Sequence, residues 1–220
     1  MSAFPARRPP EPPRAGAPAG LPAPARFAHL HPDGGACLME AAALLGGGRF
    51  TDTPPGTHPA LAALARAVND SVGDSARAAL WPLAAELADA YPEGRDYAPS
   101  LVALAADAAL LSRPGARRPA RHGRVCRRRA ERVAHVHAEG RPGRLADLLW
   151  WRGPGRRYLE HALRVLCAAP DADLRLSGLL RQAVAEARDG TADGAAARSS
   201  PPAPKPLGTS HRSGAGPGGA

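Results

Sequence analysis

The side chains best suited to chemistry concentrate between residues 29 and 70. They are His29, His31, Cys37, Glu40, Asp52, His58 and Asp70. A cysteine beside a histidine can act as a thiolate nucleophile when a carboxylate orients the imidazole. Thiolate and imidazole groups are also the usual ligands of zinc. These residue types therefore admit either a Cys–His enzyme or a zinc site.

The spacing of these residues is diagnostic of neither chemistry. His29 and His31 are separated by one residue, and Cys37 and His58 lie 21 residues apart with no second ligand pair between them. We therefore assign no metal and no cofactor. The competing interpretation is structural, with Cys37 as a small apolar core residue, Glu40 as a capping or solvated side chain, and His58 as a surface residue beside a helix start.

Two helices and the loop between them must position these side chains. Asp33 precedes an apolar run over residues 36–45 that ends at three glycines, which predicts a helix with Asp33 as its N-cap. After a proline-containing loop, Thr57 is predicted to cap a second helix with Pro59 in its first turn. Residues at these helix ends and in the loop form one candidate catalytic cluster if the ends meet. The cluster comprises Cys37, Glu40, Asp52, His58, Asn69 and Asp70.

Two further helices complete the first half of the chain. Asp74 or Ser75 can cap a helix that extends to Tyr91, and Pro82 is predicted to kink or split it. Another helix is predicted over residues 97–111. No window alternates apolar and polar residues with β-branched enrichment, so no strands are expected. The expected fold is all-α, a small bundle of short helices over residues 33–111 with a basic helical extension and disordered termini.

The second half is predicted to contain further helices over residues 144–188. They are a short apolar helix at 145–151, broken by Gly153-Pro154-Gly155, and longer helices at 156–169 and 173–188. Residues 1–26 and 189–220 are rich in Pro, Gly, Ser and Ala, which favours disordered tails.

Charge is unevenly distributed along the chain. The net charge is +9, yet residues 27–111 sum to −6 and residues 112–157 to +11. Residues 112–143 form an arginine-rich linker or helix, with a helix expected over 125–139, and seven of its arginines are candidate phosphate contacts. They are Arg117, Arg118, Arg121, Arg124, Arg127, Arg128 and Arg129. Such a block binds nucleic acid through counterion release, or docks on an acidic surface such as this chain's own first half.

Two observations weaken the nucleic-acid interpretation. The chain has 28 Arg and one Lys, so a composition bias alone supplies arginine, and the block itself contains no aromatic stacking partner. His122, Cys126, His135 and His137 lie in or beside the block, but Cys-x8-His-x-His is not a zinc spacing. The flanking arginines would also repel a cation.

Several functional classes are disfavoured by what the sequence lacks. The cysteines Cys37, Cys126 and Cys167 are odd in number and far apart, which argues against a disulfide scaffold and fits a reducing cytoplasm. No apolar signal-peptide core is visible, and no stretch approaches the roughly 20 apolar residues of a membrane helix. Walker, GxGxxG, GxSxG and HExxH motifs are missing, which disfavours the familiar nucleotide enzymes and hydrolases.

Part of the chain resembles a family of actinobacterial proteins of unknown activity. The resemblance lies within residues 33–90 and rests on GACLMEAA, FTDTP, THP, LAALA and VND, which begin at residues 35, 50, 57, 61 and 68. It joins two helix ends and one loop, so it directs attention to the same six candidate residues. Some members carry a further Cys or His where this chain has Thr53 and Gly56, so a metal ligand at those positions would be missing here.

The sequence as a whole favours a non-enzymatic accessory or protein-interaction protein of the cytoplasm, with a partner protein and no membrane. Two alternatives stay open. One is a small enzyme or zinc site centred on Cys37 and His58, and the other is nucleic-acid binding through the arginine block at residues 113–132.

Overall fold

Helices dominate the part of the chain that the computed structural model describes, residues 20–134 and 141–199. They are α1 (Leu38–Leu45), α2 (Pro59–Ser71), α3 (Asp74–Leu80), α4 (Leu83–Leu87), α5 (Tyr97–Ser112), α6 (Arg117–Ala134), α7 (Arg141–Trp150), α8 (Arg156–Cys167) and α9 (Ala172–Ser199). Among these residues the extended pairings are two isolated parallel bridges, Pro24 with Ala36 and Thr57 with Ala90. The all-α fold predicted from the sequence is confirmed.

α1 begins two residues later than its apolar run suggests. Its N-cap is Cys37 rather than Asp33, because Cys37 Sγ accepts a hydrogen bond from Glu40 N at 3.4 Å. The Glu40 carboxylate in turn accepts one from Cys37 N at 2.7 Å. This reciprocal arrangement is a capping box in which a thiol replaces the usual hydroxyl.

α2 is capped by His58 rather than by Thr57. His58 Nδ1 accepts a hydrogen bond from Ala60 N at 3.1 Å. Thr57 Oγ1 donates instead to Leu87 O at 2.6 Å, which ties the loop before α2 to the end of α4.

Proline shapes three of the remaining helices. Pro82 divides the third predicted helix into α3 and α4, as expected for a residue that cannot donate to the helix ladder. α6 begins at Arg117, eight residues before its predicted start, with Pro119 in its first turn, where a missing N–H costs nothing. The predicted end of this helix at Glu139 lies outside the described residues.

No break separates α7 from α8, contrary to the prediction for Gly153-Pro154-Gly155. A π-helical turn at Trp151–Gly155 joins them, and its wider ring accommodates a proline that would clash within a regular α-helix. Gly155 is needed for close approach, because a Cβ there would lie 2.8 Å from Trp150 Cζ3.

Both predicted tails are shorter than expected where the structure describes them. α9 continues to Ser199, so residues 189–199 are helical, in keeping with the high helix propensity of their alanines. At the other end, Ala25 N donates to Ala36 O and Ala36 N to Ala23 O, so part of the 1–26 segment pairs with the bundle. Residues 1–19 and 200–220 lie outside the described part of the chain.

One hydrophobic core joins the two halves of the chain. It includes buried leucines from five helices, namely Leu38, Leu64, Leu101, Leu166 and Leu180. α5 is central and lies against α2, α6, α8 and α9. α6, predicted as a basic extension, packs along α5 through the buried Gly123 and Cys126. The basic block is therefore held in a fixed position on the bundle.

Candidate functional sites

Glu40 is the fully buried centre of a hydrogen-bonded cluster at the start of α1. Its Oε2 accepts from Cys37 N and lies 3.1 Å from His29 Nδ1, while its Oε1 accepts from His29 N. Burying a carboxylate is costly unless its lone pairs are satisfied, and three nitrogen atoms surround this one. The carboxylate therefore acts as an acceptor for the chain before α1.

Asn69 and Asp70, at the end of α2, hold the same stretch of chain. Asn69 Oδ1 accepts from Leu38 N at 3.2 Å, and its Nδ2 donates to Ala25 O and to Asp70 Oδ1, both at 3.0 Å. Asp70 Oδ1 also accepts from Phe27 N at 2.8 Å. These bonds join α1, α2 and the preceding segment.

We call Glu40, Asn69 and Asp70 the segment clamp, because together they fasten residues 25–29 to the bundle. Phe27 in this segment has a φ of 61°, a left-handed conformation that non-glycine residues seldom adopt. Gly35 has a φ of 104°, and a Cβ there would lie 2.8 Å from Ala25 Cβ. The close fit indicates that the clamp has a structural role.

The thiol of Cys37 is poorly suited to nucleophilic attack. Cys37 is 2% exposed. Burial raises the pKa of its thiol to about 12, and the Glu40 carboxylate adds to the rise. The thiolate is the nucleophilic form, so this environment suppresses reactivity. Within the described residues, no hydrogen bond joins Cys37 to a histidine.

Asp52 and His58 bond elsewhere, so the expected convergence with Cys37 is not observed. Asp52 pairs with Arg66, whose Nη1 donates to Asp52 O at 2.6 Å. The His58 ring lies 5.4 Å from that of Tyr91 and 4.7 Å from that of Tyr97, between centroids. Burial lowers the pKa of His58 to about 4, which leaves it neutral near pH 7.

A metal centre has no ligand set in residues 20–134 and 141–199, where no three His, Cys, Asp or Glu side chains group suitably. Cys126 of the second Cys/His group is buried against α5, and burial raises the pKa of its thiol to about 11. His135 and His137 of that group lie outside the described residues.

One face of α6 consists of arginines. We call Arg117, Arg121, Arg124 and Arg128 the arginine surface. These residues follow at steps of four, three and four, and all are exposed. The opposite face carries the buried Pro119, Gly123 and Cys126. The alternation of steps keeps the four guanidinium groups on a single stripe that points away from the bundle.

The acidic groups that reach α6 pair with arginines at its flanks. Arg127 Nη1 lies 2.8 Å from an Asp107 oxygen. Arg129 Nη2 lies 2.8 Å from Asp147, and its guanidinium carbon is 4.8 Å from the Trp150 ring centroid. No salt bridge reaches the arginine surface within the part of the chain that the structure describes.

A stack of rings lies beside the arginine surface, and sequence reasoning missed it. The His122 ring stacks on Tyr158 at 4.0 Å and on His161 at 5.1 Å. We call these three residues the ring column. Tyr158 and His161 belong to α8, which is distant from His122 along the chain. The sequence indicated only that these two residues are three positions apart on one helix. The basic block thus has aromatic neighbours that its own sequence does not contain.

A groove lies between the start of α2, the chain after α4 and the α7–α8 junction. Two adjoining cavities of about 530 and 470 Å³ share Pro59, Tyr91 and Trp151 in their walls. Leu148 of α7 lines one of them, and Leu145 and Leu149 on the same helix are more than half exposed. This side of the molecule therefore presents apolar surface to solvent.

Comparisons with protein-family models, curated proteins and solved structures gave no match for this chain. The resemblance to the actinobacterial family over residues 33–90 therefore stays a prediction. Among the described residues, no helix combines the length and the apolar character needed to cross a membrane.

Proposed function

We propose that the protein is a non-enzymatic binding protein that binds nucleic-acid backbones through the arginine surface. The observation that carries the proposal is the set of four exposed arginines on one face of α6 without a carboxylate partner among the described residues. The helix already fixes the backbone spacing of these residues, so binding a polyanion needs to order only their side chains. The arginine surface is therefore preorganised for phosphate contacts.

The dimensions of the arginine surface suit a phosphate backbone. Residues 117 to 128 span about 16 Å along a helix that rises about 1.5 Å per residue. One DNA strand has a phosphate every 3.4 Å or so along the axis, so the surface faces about five phosphates. Arginine also binds phosphate in a bidentate geometry that lysine cannot adopt.

A composition bias or internal docking explains this arrangement less well. Internal docking would place acidic groups of the first half over the exposed face of α6, yet Asp107 of that half pairs with Arg127 on the flank. A composition bias supplies arginine but does not require four of them to share one face without carboxylates.

The proposal is tested by fluorescence anisotropy with labelled oligonucleotides of mixed sequence. The test variant replaces Arg121, Arg124 and Arg128 with Gln. The control variant replaces Arg49, Arg175 and Arg188 with Gln, which removes the same charge from α9 and the loop after α1.

The test variant should bind at least about tenfold more weakly at low salt, because each lost phosphate contact lowers the number of counterions that binding releases. The control variant should bind within about threefold of the native protein, since net charge alone contributes less than local contacts. Equal weakening in both variants would show that the arginine surface is not the binding site.

A partner protein is a second candidate ligand, and the apolar side of α7 favours it. Leu145, Leu148 and Leu149 are 56%, 41% and 61% exposed and continue into the groove at Trp151. A partner protein that binds α7 should copurify with the native chain in a stoichiometric amount. Replacing Leu145 and Leu149 with Ser should abolish its copurification. Serine at Leu174, which is 73% exposed on α9, should not. Retained copurification in the Leu145 and Leu149 variant would exclude α7 as the contact.

A cytoplasmic location is part of the proposal and rests on three free cysteines, of which Cys37 and Cys126 are buried and Cys167 is exposed. Exposed thiols persist in reducing compartments. A catalytic or zinc role for Cys37 and His58 receives no support from their environments. The thiol is buried, and the imidazole Nδ1 is occupied as a helix cap.

A further inference from the structure

Arginines surround the ring column on α6 and α8. They are Arg118, Arg121, Arg157 and Arg164, and all four are exposed. An acidic residue, Glu160, also lies beside the rings and pairs with Arg156 at 3.3 Å. Arg121 also belongs to the arginine surface, so the two groups form one continuous cationic region. Positive charge therefore extends from α6 across the rings onto α8.

The environment of the ring column favours the neutral form of both His122 and His161. Nδ1 of His122 and Nδ1 of His161 are both buried without a hydrogen-bond partner among the described residues. A second proton on either ring would occupy that unpartnered nitrogen and add a cation among arginines. Burial lowers the pKa of His122, helped by His161, Arg121 and Arg118. Burial likewise lowers the pKa of His161, helped by Arg164 and Arg118.

We propose that the ring column and its four arginines form a second phosphate-binding subsite, which takes up protons on His122 and His161 when a nucleic-acid backbone binds. This inference rests on the proposed function of the arginine surface. A bound phosphate adds negative charge beside the rings, where arginines outnumber Glu160, so it stabilises the protonated rings. The complex then binds more protons than the free protein, and affinity must rise as the pH falls.

The test measures the dissociation constant of a thymidine-only 12-mer by anisotropy at constant ionic strength. Thymine gains no proton in this range, so a pH response reports on the protein. Between about pH 8 and about pH 5.5 the native protein should bind about tenfold more tightly, as expected when the pKa values of both histidines, which lie below 6.5 in the free protein, rise by about one unit each. Replacing His122 and His161 with Gln should reduce that change to less than about threefold.

Replacing His31 with Gln provides the matched control, because His31 is exposed and lies before α1. This variant should keep the native pH response. Calorimetry of the native protein in buffers of different ionisation enthalpy gives the proton uptake directly and needs no variant. Uptake near zero, or an unchanged pH response in the double variant, would overturn the subsite.

These outcomes separate the two proposals. Binding near pH 8 that depends on Arg124 and Arg128 but is insensitive to pH would retain the arginine surface and reject the proton-linked subsite. No binding at either pH would overturn both.

Discussion

At the scale of single residues, burial decides the chemistry of Cys37. Cys167 is the exposed cysteine, whereas Cys37 and Cys126 are buried with raised pKa values. In the native protein at about pH 8, a thiol reagent should therefore label Cys167 quickly and the other two only after unfolding. Peptide mapping of the labelled protein locates the modified cysteines. Rapid labelling of Cys37 would restore the nucleophile hypothesis.

His58 should make the fold sensitive to acid. Its pKa falls from 6.5 to about 4 on burial, so the folded state keeps the ring neutral while the unfolded chain protonates it. The corresponding stability is present above about pH 6.5 and is lost progressively as the pH falls towards 4, by about 3 kcal/mol in all.

His58→Asn keeps a side-chain acceptor for the helix cap and removes the titration. Denaturant unfolding at a series of pH values should show a shallower loss of stability for this variant than for the native protein. Parallel curves would mean that His58 does not titrate in this window.

The sequence could identify all three residues of the segment clamp, but not what they hold. Glu40, Asn69 and Asp70 were singled out because the helix ends were expected to meet. Their partners include backbone groups of residues 25–29, whose proline-rich surroundings resembled a tail. Asp52 and His58 were included because they lie close to the helix ends in the sequence. That closeness could not show which way the loop folds. Thr57 fastens that loop to Leu87.

At the scale of elements, the clamp predicts how residues 25–29 are retained. Glu40→Gln would place an amide NH2 group where Oε2 now accepts from Cys37 N. Two hydrogen-bond donors would then face each other. The free energy of unfolding should fall by about 2 kcal/mol, the usual effect of losing buried hydrogen bonds to a charged group. Hydrogen exchange of the backbone amides of His29 and Cys37 should accelerate more in this variant than exchange of the amides in α5 and α6.

The matched control is Glu131→Gln, at an exposed position on α6. Its effect should stay within about 0.5 kcal/mol. Equal effects in the two variants would contradict the assignment of Glu40 as the buried acceptor of the clamp.

Helix identities followed from apolar periodicity, whereas helix ends depended on contacts made in the fold. Pro82 and the span of α5 were predictable because proline chemistry and leucine spacing are local properties. The π-helical turn was not predictable in this way. The Gly-Pro-Gly sequence is also typical of a break, and the close packing of Gly155 against Trp150 depends on tertiary structure.

At the scale of the whole molecule, α6 turns a basic sequence into a basic surface. The sequence revealed the charge imbalance, +11 over residues 112–157 against −6 over residues 27–111. It could not show which arginines would pair. In the structure Arg127 pairs with Asp107, and Arg129 shares Asp147 with Arg95, while the arginine surface is left to solvent. The central claim is that this surface is built to meet phosphates.

Salt dependence is the measurement that tests this claim most directly. The association constant for a mixed-sequence duplex should fall linearly on logarithmic axes between about 50 and 200 mM salt, with a slope of about −3 to −4 for four phosphate contacts. The Arg121, Arg124 and Arg128 variant should show a slope shallower by about 0.9 per arginine. A slope near zero in the native protein, or no binding at the lowest salt, would contradict the proposed function.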